Sequence, residues 1–76
     1  MTKLPQIKPN KLSLFFQKHG FVITRQAGSH QRLVHQDGRK ITIAIHNKPI
    51  APGTLQSILK QAVMSRQEFL KLFDKS

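Results

Sequence analysis

Residues 37–45 constrain the fold of this 76-residue chain more than any other stretch. Ile41, Ile43 and Ile45 alternate with Thr42 and Ala44, and a period of two puts the isoleucines on one face of a β-strand and the smaller residues on the other. Asp37-Gly38 stands just ahead, in the Gln36-Asp37-Gly38-Arg39 stretch, and supplies the positive φ that a tight hairpin needs. An antiparallel partner is therefore expected over His30–His35. Its core face is left open, because Leu33 and Val34 point opposite ways. A further strand is expected from Phe21 to Gln26, with Phe21, Ile23 and Arg25 on one face and Val22, Thr24 and Gln26 on the other. The Ala27-Gly28-Ser29 turn joins it to the next strand.

On either side of this meander the period becomes helical. Leu12, Phe15 and Phe16, with His19 beside the same stripe, predict a helix over residues 11–19 that is capped by Asn10 and stopped by Gly20. Residues 1–10, with Pro5 and Pro9, read as an N-terminal extension of a single domain over residues 11–76. His46 to Gly53 has loop composition, and Pro52 is suited to open a helix. Leu55, Ile58, Leu59 and Ala62 form the apolar stripe of that helix, over residues 53–63. Ser65-Arg66-Gln67-Glu68 is a capping box that starts a last short helix bearing Phe69, Leu70, Leu72 and Phe73. The expectation is an α+β domain: a three-stranded antiparallel sheet with helices on one face and solvent on the other.

A core this thin offers no deep cleft, so a ligand is expected on an open surface. Charge says which kind of ligand. Thirteen Lys and Arg stand against three Asp and Glu, a formal net charge of +10 spread from Lys3 to Lys75. A chain so basic seeks polyanions, and an anionic membrane surface or an acidic protein partner would also suit the charge. The chain has no Cys, no apolar leader and no 18-residue apolar run, and is expected to be soluble and cytoplasmic. All five aromatics are Phe and are expected in the core, which leaves no platform for stacking unpaired bases.

Phosphate-loop, Cys-x-x-Cys and His-Glu-x-x-His signatures are missing, and Asp37, Glu68 and Asp74 are too few for a two-metal carboxylate site. No metal or other cofactor is expected. Histidine, with an intrinsic pKa of about 6.5, is the remaining acid-base residue. Of the four, His30 follows the Gly28-Ser29 turn on a hairpin, where its ring would lie beside backbone N–H groups able to meet a phosphate. There it could activate a ribose 2′-hydroxyl for attack on the adjacent phosphorus, or it could be a plain polar strand residue. His46, at the end of the third strand, is a phosphate contact, a general acid or an exposed loop residue. His19 is expected to pack or cap its helix, and His35 has no assigned role. Arg25, Arg32, Arg39, Lys40, Lys48 and Lys60 are candidate RNA-binding cations, any of which would stabilise charge on a scissile phosphate or stand solvated at the surface.

Five separated motifs stand in order along residues 11–63. They are Gly20-Phe21, Gly28-Ser29-His30, Asp37-Gly38-Arg39, His46, and Pro52-Gly53-Thr54-Leu55 leading into Ile58-Leu59-Lys60-Gln61. In these the sequence resembles HicA-type toxins. The resemblance implies a double-stranded-RNA-binding-like fold, cleavage of mRNA, restraint by a HicB-type antitoxin, and a catalytic role for His30. Many members have a second His directly after the first, where this chain has Gln31, and often a Pro where this chain has Ala44. The alternative to an enzyme is a non-catalytic RNA-binding module of the same fold, which has no need of His30.

Overall fold

The computed structural model describes residues 5–74, so Lys3, Lys75 and the first four residues of the expected extension lie outside the described residues. The element order is α1 (Pro9–Lys18), β1 (Phe21–Ala27), β2 (His30–His35), β3 (Lys40–Ala44), α2 (Pro52–Gln61) and α3 (Arg66–Asp74). The three strands form one antiparallel sheet in the order β1-β2-β3. This is the α+β architecture that the periodicities predict.

The helices bury one face of the sheet. Leu33, Ile41 and Ile43 from the strands meet Leu12, Phe15 and Phe16 of α1 and Leu55, Ile58 and Leu59 of α2 in one core. Phe15 is its aromatic centre, with ring centroids 5.2 Å from Phe16 and 5.0 Å from Phe69, both edge-on. Four of the five Phe are fully buried, and Phe73 packs against the same cluster. The face of β2 is thereby settled: Leu33 is core and Val34 stands on the open side.

Several boundaries differ from the sequence reading by one or two residues: α2 runs Pro52–Gln61 rather than over residues 53–63, and β3 ends at Ala44 rather than Ile45. The first helix opens at Pro9 rather than residue 11, with Lys8 as its cap residue and no side-chain cap. Proline fixes a helical φ and has no N–H to leave unpaired, so it suits the first position better than Asn10 suits the cap. Ile7 is buried, and its carbonyl accepts from the Ile50 N–H at 2.8 Å, so the chain joins the core two residues before the helix. α3 does start as its motif predicts, with Ser65 Oγ accepting from the Glu68 N–H at 3.0 Å.

β1 contains a bulge. Phe21, Val22 and Ile23 pair with His35, Val34 and Leu33, but the next pair is Arg25 with Arg32, which leaves Thr24 unpaired. An extra residue in one strand swaps the faces of everything after it. Strict alternation groups Arg25 with Phe21 and Ile23, whereas in the fold Arg25 joins Arg32 on the open face and Gln26 joins Gln31 on the core face.

Gly20 ends α1 at φ +93°, and a Cβ there would lie 2.7 Å from His35 Nε2. The glycine lets the chain turn left-handed and lets the imidazole close over it. His35, unassigned from sequence, is thus structural. Its ring stands edge-on to Phe21 at 5.1 Å, and its Nδ1 accepts from the Asp37 N–H at 3.1 Å. His19 packs its ring 4.5 Å from that of Phe15 at the end of α1, one of the two roles expected of it.

Candidate active site

The open face of the sheet is a grid set by strand register, since residues paired across an antiparallel ladder point to the same side. His30 lies on the central strand between Ala27 on β1 and Ala44 on β3. The next row is Arg25, Arg32 and Thr42, and beyond the bulge come Val22, Val34 and Lys40. Two methyl groups flank the imidazole, so nothing beside it overhangs the ring. Arg25, Ala27, His30, Arg32 and Thr42 line one open recess of about 200 Å³.

Backbone contacts on both sides hold the position of His30. Gly28, at φ +59°, opens the two-residue turn between Ala27 and His30, a conformation that suits glycine. The Ser29 carbonyl accepts from the Ile45 N–H at 2.6 Å, which fastens the turn to the end of β3. Gly28 and Ser29 therefore shape the site through the backbone, with both residues exposed beside it.

Gln31 points the other way. It is 9% exposed on the core side, where Ser13 Oγ donates to its Oε1, Gln17 Nε2 donates to Ser13 Oγ at 3.0 Å, and its own Nε2 donates to Gln26 Oε1 at 3.3 Å. This chain of amides and a hydroxyl ties α1 to β2 and β1 beneath the recess. A side chain at position 31 fills a polar niche under the sheet, on the side opposite His30.

The predicted cations do not all share this recess. Arg25 and Arg32 share the recess with His30, and among the described residues neither has an ion-pair partner. Lys40 is exposed on the same face, one row further from Thr42. Arg39 is committed elsewhere: its Nε donates to Asp37 Oδ2 at 2.8 Å, its Nη1 donates to the Ala62 carbonyl at 2.6 Å, and its guanidinium lies 5.1 Å from the Phe21 ring centre. It fastens the β2–β3 turn to the end of α2, and sequence alone gave no sign of this because the partner carbonyl is 23 residues away. The Arg39 N–H and guanidinium hold the Asp37 carboxyl below its ordinary value of 3.8, first through the backbone hydrogen bond.

His46 and Lys48 lie past the end of β3, lining a separate recess with Thr54 and Ile58. His46 Nδ1 accepts from the Lys48 N–H at 3.2 Å, and the residue is exposed. Lys60 lies on α2 in a third groove. Thr42 is the residue of the His30 recess that sequence reasoning missed. Its place opposite Arg32 follows from register, which the hairpin turn fixes.

Among the described residues no three His, Asp or Glu side chains gather as a group able to hold a metal ion, and no helix is long and apolar enough to cross a membrane. Residues 10–64 match the family model described as HicA toxin of bacterial toxin-antitoxin. No curated protein matches the chain.

Proposed function

Since the chain belongs to the HicA toxin family of bacterial toxin-antitoxin systems, we propose that it acts as a metal-independent endoribonuclease in the cytoplasm, with His30 as base and a HicB-type antitoxin as its restraint. The observation that carries this reading is the strand register that sets Arg25 and Arg32 in the row next to His30, all three lining one open recess.

The chemistry follows from those side chains. The His30 imidazole takes the proton of a ribose 2′-hydroxyl, and the freed oxygen forms a bond to the adjacent phosphorus. The bond from phosphorus to the 5′-oxygen breaks, its electron pair stays with that oxygen, and a proton from solvent completes a 5′-hydroxyl. The other product is a 2′,3′-cyclic phosphate. Arg25 and Arg32 face the phosphate oxygens and stabilise the charge that gathers there, usually the larger contribution to catalysis. The recess is shallow, so a strand of mRNA can lie across it without threading an enclosed cleft.

The test is RNA cleavage in the presence of a chelator by wild type and His30→Ala, with binding measured in parallel. Loss of cutting with retained binding is expected. Equal cutting by the two proteins refutes the base assignment, and binding without any cutting by wild type makes the protein a non-catalytic RNA module.

A further inference from the structure

A second cationic surface lies on the helical side. Gln56, Ser57, Lys60, Met64 and Arg66 line a groove of about 430 Å³ between α2 and α3. Among the described residues neither the Lys60 nor the Arg66 side chain has an ion-pair partner, and no Asp or Glu lines the groove. Glu68, on the first turn of α3, is exposed but is not part of the lining. Two positive side chains with a hydroxyl and an amide between them match a phosphodiester backbone, which offers charge and hydrogen-bond acceptors at once.

The groove and the His30 recess lie on opposite sides of the contact between α2 and the sheet edge. β3 is the outer strand on that side, and the N–H of Thr42 donates to Gln61 Oε1 at 3.3 Å. Thr42 lines the recess, and Gln61 follows Lys60 on α2. That contact ties α2 to the sheet edge, so a strand passing from the recess to the groove crosses α2, with exposed Lys40 on the same edge strand. Arg66 belongs to α3, beyond the residues 10–64 that the family model matches.

We infer that an RNA strand held at His30 continues over the β3 edge into the α2–α3 groove, where Lys60 and Arg66 take a second stretch of its phosphate backbone. This rests on RNA being the ligand of the His30 face, and it makes the preferred ligand a strand long enough to span both surfaces. A dinucleotide or trinucleotide fills the recess alone.

The test measures binding of fully 2′-O-methylated RNA, which cannot be cut, to wild type, Lys60→Ala, Arg66→Ala and the double variant across a range of salt. One probe is a trinucleotide and the other is about 12 nucleotides, within the usual span of a single-stranded binding surface. For the long probe, the slope of log affinity against log salt should flatten by about 0.7 for each cation removed. For the trinucleotide it should not change. Lys60→Arg and Arg66→Lys should keep the wild-type slope, and circular dichroism checks that each variant is folded.

Identical long-probe slopes for wild type and the double variant overturn the inference. So does an equal flattening with the trinucleotide, which would make these cations part of a diffuse field. If wild type binds neither probe, the RNA reading falls with it. If His30→Ala still cuts while the slopes behave as expected, only the assignment of the base falls.

Discussion

Arg25 and Arg32 face each other across β1 and β2 as register partners, two like charges on neighbouring strands. Such a pair destabilises a sheet, by up to about 1 kcal/mol when directly opposed. An anion placed between them relieves the repulsion and gains two charge-assisted hydrogen bonds. The arrangement costs stability when empty and favours a phosphate when occupied.

Arg25→Thr should therefore raise stability by about 0.5 kcal/mol, because threonine suits a strand and removes the repulsion. The same variant should weaken RNA binding. Urea unfolding and an RNA titration on one preparation check both. A variant that loses stability and affinity together would show that Arg25 serves the fold.

Deleting Thr24 should do little harm. With the unpaired residue gone, Ile23 remains opposite Leu33 and Arg25 opposite Arg32, now in an unbroken ladder. RNA affinity is expected to stay within about threefold of wild type, a change below about 0.7 kcal/mol. Nuclear Overhauser contacts between residues 25 and 32 report the register, and their loss would show that the bulge itself aims the arginine.

Arg39→Ala should destabilise the protein by about 2 kcal/mol, since the Ala62 carbonyl loses a charged donor and Phe21 loses the cation above it. The loss should appear in thermal or urea unfolding at neutral pH, while the RNA salt slope stays at its wild-type value. A flattened slope would restore Arg39 to the RNA surface, where its charge alone would have put it.

The Asp37 carboxyl is held below 3.8 by the Arg39 backbone N–H first, then by the Arg39 guanidinium and by His35. A carboxyl depressed in the fold contributes stability above its unfolded value and loses it as pH falls through the folded one. The β2–β3 turn should accordingly keep this contribution above pH 3.8 and lose it as pH falls below that value. Carbon-13 titration of the Asp37 carboxyl checks this, and Arg39→Ala should bring its midpoint only part of the way back because the backbone donor remains. Full return to the ordinary value would contradict the order of causes.

Val63 sits just past α2 at φ +52° and 74% exposed, a left-handed position that a β-branched residue rarely takes. The Val63 and Met64 N–H groups donate to the Lys60 and Leu59 carbonyls, the bond pattern that normally ends on glycine. Val63→Gly should raise stability by about 1 kcal/mol, from the strain that it removes. Differential scanning calorimetry would show a higher midpoint, and an unchanged or lower one would mean that Val63 contacts stabilise its conformation.

Local patterns were enough to set the elements. Ile41, Ile43 and Ile45 imposed a strand, Leu12, Phe15 and Phe16 a helix, and Asp37-Gly38 a hairpin, because backbone sterics and the spacing of apolar residues act over a few neighbours. The place of His30 at the start of a strand, just past the Gly28-Ser29 turn, was legible for the same reason. Only the tertiary structure decided which cations accompany it. The Thr24 bulge moved Arg25 onto the open face, the Ala62 carbonyl claimed Arg39, and the Thr42–Gln61 contact tied α2 to the edge of the sheet. Register and packing bring together residues far apart in the chain, and their energies belong to pairs of segments that no local pattern describes.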